Sequence, residues 1–159
     1  MEMINIITGD IDSGKTSYLK KLYEKDPVGD GVLSLKHYEE GHFLGYDLFH
    51  LKSKEQVAFI RLKSQLPGSW NEKLEIGKYS FSCEGFTFAE KVLKNINEGP
   101  VYIDEVGPLE ILDKKGFYER LKELINQNID LFITIRSTLI DALHDEFGLN
   151  GKTNIITLK

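Results

Sequence analysis

A single cysteine, Cys83, is the only thiol in 159 residues. That excludes an internal disulfide framework and fits a reducing compartment. Long apolar runs are missing too. The N-terminal apolar stretch covers only Ile4 to Ile7 and no basic segment precedes it, so neither a signal peptide nor a membrane span is expected. The expected location is cytoplasmic. Positive charge is scarce: 20 Lys and Arg stand against 25 Asp and Glu, a net charge of −5. A nucleic-acid-binding domain usually presents a basic face, and no dense Lys/Arg run is present, so no nucleic-acid partner is expected. Arginine occurs only as Arg61, Arg120 and Arg136. The four histidines, His37, His42, His50 and His144, lack metal-ligand spacing, and the first three are read as surface residues around a hairpin. Internal repeats, low-complexity tracts and interdomain linkers are absent.

What is present reads as one domain, 1–159, since this length supports one substantial core. Hydrophobic residues make up 41% and charged residues 28%, an ordinary composition for a soluble chain. Residues 3–8, "MINIIT", form a short strand rich in β-branched residues. From Lys15, Leu19, Leu22 and Tyr23 recur at helical spacing until Asp26-Pro27. Residues 32–60 alternate around Glu40-Gly41 and predict a hairpin, followed by a strand over 57–62. Residues 64–77 lack periodicity and read as a surface loop, and 78–83 as a strand. The β-rich insertion therefore covers about 31–83.

Helices are predicted over 88–97, 114–126 and 139–147, the last with Thr138 as N-cap. Strands are predicted over 101–104, 130–135 and 154–159. Alternation of this kind predicts an α/β fold, with a mostly parallel sheet flanked by helices and an inserted antiparallel hairpin region.

The chemistry begins with "GDIDSGKT", Gly9 to Thr16, which fits Gly-x-x-x-x-Gly-Lys-Thr between a strand and a helix. Glycines let such a loop curl so that successive N–H groups face phosphate oxygens, and the helix N-terminus favours an anion. The nucleotide-binding stretch is Gly9, Asp10, Ile11, Asp12, Ser13, Gly14, Lys15, Thr16 and Ser17. Lys15 reaches the β- and γ-phosphates and the Thr16 hydroxyl ligates Mg²⁺. Asp10 and Asp12 are unusual company for a phosphate. Side chains at these variable positions can point away, but each charge still repels the ligand by about 1 kcal/mol or more at an effective dielectric near 20. Weaker nucleotide binding than in a neutral loop is expected; the second reading is that one of the two acids helps hold Mg²⁺.

The apolar stretch "VYID" ends in Asp104 and Glu105. A strand-end Asp holds Mg²⁺ beside the loop's Thr16, and the following Glu can accept a proton from an attacking water. Arg136 follows the strand "LFITI" and should emerge at the carboxyl edge, where ligands bind in open α/β sheets. Two readings stand for it: stabilising charge on the γ-phosphate, or a salt-bridge or capping role. Arg61, at the end of a strand in the insertion, is a weaker candidate. Arg120 reads as part of a solvated helix face. Trp70 reads as a partly exposed loop anchor, or as a surface for stacking a base.

With these motifs in view, the chain resembles the small P-loop nucleoside-triphosphatase family described from thermophiles, also called cancer-related nucleoside-triphosphatase. The matching segments are "GDIDSGKT", "GYDLFHL" (45–51), "AFIR" (58–61), "IGKYSF" (76–81) and "YIDEVGPLE" (102–110), in order over nearly the whole chain. The resemblance implies a RecA-like fold and Mg²⁺-dependent hydrolysis of ATP, GTP and other nucleoside triphosphates with little base preference. It implies that Lys15, Thr16, Asp104 and Glu105 carry the phosphate, metal and water roles, with Arg136 as the accompanying cation. The family's loop is usually richer in glycine or proline than "GDIDSGKT".

Two other function classes compete. A nucleotide or small-molecule kinase would transfer the phosphoryl group to an acceptor, but such kinases surround that group with several arginines and this chain has three. A non-catalytic switch module would bind nucleotide without needing Glu105. An Asn-Lys-x-Asp guanine motif is absent.

Overall fold

The computed structural model describes residues 4–149 and 152–159. Its first strand, β1 (Ile4–Gly9), is buried from Asn5 to Thr8 on both of its faces. A strand covered on both faces belongs inside a parallel sheet with layers above and below. β1 indeed lies between β8 (Leu131–Ile135) and β9 (Thr153–Leu158), parallel to both. β7 (Val101–Val106) and β2 (Asp30–Glu39) extend the parallel run. β3 (His42–His50), β4 (Gln56–Leu62), β6 (Tyr79–Ser82) and β5 (Glu72–Ile76) then continue the same sheet antiparallel. Among the described residues the order is β5-β6-β4-β3-β2-β7-β8-β1-β9. The fold is α/β as expected, and the inserted strands make up nearly half of the sheet rather than a small appendage.

Period-two alternation divides the strand side chains between two layers. Ile6, Ile103 and Ile133 face one layer. There they meet Val92 and Leu93 of α2 (Cys83–Lys94), Leu121 and Leu124 of α4 (Tyr118–Asn126) and Leu143 of α5 (Ile140–Phe147). Their neighbours Ile7, Tyr102 and Phe132 face the other layer, with Leu19 of α1 (Lys15–Lys25). Each fully buried Leu or Ile contributes about 1.5–3 kcal/mol, so the two layers hold the strands in register from both sides.

The β2–β3 turn uses Glu40 (φ 51) and Gly41 (φ 79). Two consecutive left-handed residues form the tight turn that matches strand twist, which accounts for the break in alternation there. The first strand was expected over 3–8; Met3 lies outside the described residues, and the strand continues to Gly9.

Several elements differ from the sequence expectation. The stretch 64–77 contains an edge strand, β5, whose five residues are exposed or half-buried and mostly charged, so no apolar alternation marks it. Trp70 anchors the preceding loop through its indole N–H, which donates to Ser80 Oγ at 2.8 Å. Helix α2 starts at Cys83, five residues before its expected start, because the Ser82 hydroxyl accepts the Gly85 N–H at 2.9 Å and caps it. The helix expected over 114–126 begins only at Tyr118. A short α3 (Pro108–Ile111) comes first, and left-handed Lys114 and Gly116 interrupt the chain. Thr138 does not cap α5: Ser137–Leu139 form a 3₁₀ turn, and no side chain bonds to the helix start. Among the described residues, no helix is long and apolar enough to cross a membrane.

Candidate active site

The chain leaves β1 at Gly9 and enters α1 at Lys15, so the Gly-Lys-Thr loop lies at the carboxyl end of a strand paired on both sides. Gly9 has no room for a side chain: a Cβ there would lie 2.4 Å from Ser13 Oγ and 2.9 Å from the Leu158 carbonyl oxygen. Gly14 sits at φ 93, a left-handed geometry that glycine adopts without a Cβ clash. Ser13 N–H donates to the Asp10 carbonyl at 3.0 Å, curling the loop. Lys15 Nζ folds back to donate to the Gly9 and Asp10 carbonyls, 3.0 Å each. Its ammonium is therefore held against the loop, at the helix N-terminus that favours an anion.

β7 brings the two acids to the same edge. Asp104 is buried, and every hydrogen bond to its carboxylate comes from a different element. Thr16 Oγ1 of α1 donates to Oδ2 at 2.7 Å, the Ser34 N–H of β2 donates to Oδ2 at 3.0 Å, and Thr134 Oγ1 of β8 donates to Oδ1 at 2.6 Å. Burial raises the Asp104 pKa, and these donors pull it back only in part. Glu105 is the next residue, in the left-handed conformation (φ 62), and its N–H donates to Thr134 Oγ1 at 2.7 Å. The pairing of β7 with β8 is irregular between Ile103 and Val106, and there Glu105 lies on the cavity wall while Asp104 is buried. Glu105 is exposed on the cavity wall; partial loss of hydration there raises its pKa first, and the Asp104 charge adds to it, while Lys15, Arg136 and Lys36 act the other way. Beyond the pair, buried Glu110 accepts the Gly107 N–H at 3.0 Å and the Phe117 N–H at 3.2 Å, fixing the turn that follows Glu105.

A cavity of about 580 Å³ joins the loop from Gly9 to Ser17 with Glu105, Arg136 and part of β2–β3. Small-molecule sites commonly have this size. Arg136 follows β8, is exposed, and lines the cavity as its position at the strand end suggested. Ile11 and Asp12 also line it, and Asp10 is exposed.

The other candidates lie elsewhere. Arg61 is buried at 5% exposure and donates to Asp47 Oδ1 at 2.7 Å and to the Tyr46 and Ile60 carbonyls, so it serves the insertion's interior. Arg120 is not on an open helix face: its side chain pairs with Glu90 of α2 and Glu123 of α4 and is largely covered. His50 is likewise no surface residue. Its half-buried ring bridges the Asp30 carboxylate and the Ser53 hydroxyl, and Ser53 also accepts the Glu55 N–H, which locks the β3–β4 turn.

The sequence reading missed Ser34, Lys36 and the rings of Tyr38, Phe43 and Tyr46, all at the cavity. It also missed Thr134. The available signals were weak: one hydroxyl inside the apolar "LFITI", and an alternating Ser34, Lys36, Tyr38 series on β2.

Residues 5–159 match the family model described as NTPase. The chain belongs to the NTPase family. Relatives of this NTPase include the nucleoside-triphosphatase THEP1 of Archaeoglobus fulgidus, 29% identical over 89% of this chain and 84% of the relative. The nucleoside-triphosphatase THEP1 of Thermotoga sp. (strain RQ2) is 25% identical over 84% of this chain and 74% of the relative. In fold, this NTPase is similar to a human cancer-related nucleoside triphosphatase, with a TM-score of 0.73 at 22% identity, covering 99% of this chain and 89% of the other. It is similar also to THEP1 from the hyperthermophile Aquifex aeolicus, with a TM-score of 0.70 at 21% identity, covering 99% and 90%.

Proposed function

We propose that this NTPase hydrolyses nucleoside triphosphates, ATP and GTP among them, to the diphosphate and phosphate, with Mg²⁺ and low base specificity. One observation carries the reading: Glu105 lines the same cavity as the phosphate loop, one residue after an Asp104 that is bonded to Thr16. The curated relatives are named nucleoside-triphosphatases, which agrees with it.

The residues fit Mg²⁺. Thr16 and Asp104 offer hard oxygen donors 2.7 Å apart, the chemistry that this ion selects. Among the described residues no group of three or more His, Cys, Asp and Glu could form a competing metal cage. When bound there, Mg²⁺ supplies charge neutralisation on the phosphate oxygens.

In this reading the backbone N–H groups of the loop and Lys15 bind the phosphates. Glu105 orients a water and takes its proton as the water oxygen attacks the γ-phosphorus. The bond from that phosphorus to the β–γ bridging oxygen breaks, and the diphosphate leaves with that oxygen. Arg136 faces the charge that develops on the γ-phosphoryl group. Low base specificity agrees with a lining that includes the rings of Tyr38, Phe43 and Tyr46, since stacking on a ring tolerates any base. A kinase reading has less support, because Arg136 lines the cavity while Arg61 and Arg120 are engaged in ion pairs away from it. The site needs neither a nucleic acid nor a membrane, and a cytoplasmic location remains the reading.

The test is phosphate release from ATP, GTP, CTP and UTP, with Mg²⁺ and with a chelator. Release from all four, with kcat/KM values within about tenfold of each other (~1.4 kcal/mol), supports the reading. Release from one base only, release that survives chelation, or no release contradicts it.

A further inference from the structure

Asp12 is a costly residue for its position. It holds φ 62 in the middle of the phosphate loop, a geometry that Asp tolerates better than most side chains but that glycine adopts at least cost. Its carboxylate is also placed where an anionic ligand arrives. It is not alone there: Lys36 Nζ of β2 forms an ion pair with Asp12 Oδ1 across the cavity mouth. Both side chains are open to solvent, at 41% for Lys36 and 64% for Asp12, so the pair is held weakly and opens readily.

Lys36 is placed for a second partner. It lines the cavity two residues beyond Ser34, whose N–H bonds to Asp104, on the strand paired in register with the one that carries Glu105. It therefore stands at the Glu105 end, where water meets the γ-phosphate in the reading above. A lysine carries three donors on a flexible four-carbon stem. A triphosphate is a stronger acceptor of those donors than one solvated carboxylate, because its charge is larger and sits in a less aqueous site.

We propose that Lys36 is a second phosphate-binding lysine, rested on Asp12 before nucleotide binds and transferred to the γ-phosphate when a triphosphate enters. The inference rests on the triphosphate reading of the site. Asp12 then acts as a gate on affinity: it competes with the γ-phosphate for the Lys36 ammonium, and a diphosphate leaves the pair closed.

The test is equilibrium binding of a non-hydrolysable triphosphate analogue and of the diphosphate, both with Mg²⁺. The proteins are wild type, Lys36→Gln, Asp12→Asn and the double variant. Asparagine keeps the tolerance for left-handed φ and removes only the charge. The expected result is a loss of about tenfold or more in triphosphate affinity for Lys36→Gln, with a much smaller change for the diphosphate. The loss persists in the Asp12→Asn background, and Asp12→Asn alone tightens the triphosphate. A double variant that binds the triphosphate as tightly as Asp12→Asn overturns the proposal, since Lys36 would then merely screen Asp12. Equal losses for triphosphate and diphosphate overturn it too. A wild type that hydrolyses triphosphates while Lys36→Gln binds normally sinks this inference alone. A wild type that binds with the expected Lys36 dependence but releases no phosphate sinks the hydrolase reading alone.

Discussion

Thr134 Oγ1 donates to Asp104 Oδ1 at 2.6 Å from the neighbouring strand, with the threonine fully buried. The same oxygen accepts the Glu105 N–H at 2.7 Å. One hydroxyl thus orients the proposed metal-binding carboxylate and holds the left-handed backbone that aims the next acid at the cavity.

Thr134→Val keeps the volume and removes the hydroxyl. It strands a carboxylate oxygen and an N–H in a buried place, which costs about 1–3 kcal/mol for each unsatisfied group. The expected outcome is a lower denaturation midpoint and a kcat that falls more than triphosphate affinity does. Thr134→Ser should recover most of both. Urea titration and steady-state kinetics check this, and a valine variant with wild-type kcat counts against the role.

Glu105 must be ionised to accept a proton from water. Partial desolvation at the cavity wall and the Asp104 charge raise its pKa above the ordinary 4.5, so the acid limb of the kcat profile should lie above that value. Arg136→Gln removes a cation that favours the ionised form, and should move the limb to higher pH. The stability sign is the reverse of a salt-bridged acid. A carboxyl raised on folding adds stability that is complete below its unfolded pKa and lost as pH rises through the folded one. Solvent screens an exposed side chain, so Glu105→Gln should gain only slightly on wild type between about pH 5 and about pH 8. Urea midpoints for the two proteins at both pH values decide it.

The loop and Glu105 could be read from the sequence for a local reason. Fixed spacing, a strand before and a helix after make the place of this loop in the fold a property of a few consecutive residues. Asp104 was legible because an apolar strand ended in acids. Thr134 and Lys36 were not, since their roles depend on pairing between distant strands. The register Ile103 to Ile133 places Thr134 beside the acids, and that of Val32 to Ile103 brings β2 alongside β7. A one-residue slip would turn each side chain to the opposite face, and no local pattern fixes that register. β5 escaped for another reason: a charged edge strand carries no apolar alternation.

Arg61 tests the boundary of the site. Its guanidinium pairs with Asp47 inside the insertion, and neither residue lines the cavity. Arg61→Ala leaves a buried charge without its partner, for a loss on the order of 3–5 kcal/mol. The folded fraction should keep its kcat for triphosphates. A thermal melt and an assay below the melting range separate the effects; a stable variant with reduced kcat would move Arg61 into the reaction.

Gly9→Ala forces a methyl group into the space of Ser13 Oγ and the Leu158 carbonyl. The loop must shift to accept it, so the expected result is loss of triphosphate binding with a smaller change in helix content. Circular dichroism and nucleotide binding check it. Retained affinity would show that the loop's curl is not what binds phosphate.

In the proposed mechanism, hydrolysis depends on Glu105 as the base that activates water. That dependence is tested most directly by single-turnover phosphate release with Mg²⁺, comparing wild type with Glu105→Gln while nucleotide binding is followed on the same samples. Both proteins should bind the triphosphate, and Glu105→Gln should lose at least about 10²-fold in the release step, the scale of a lost general base. Equal release rates from the two proteins would contradict it.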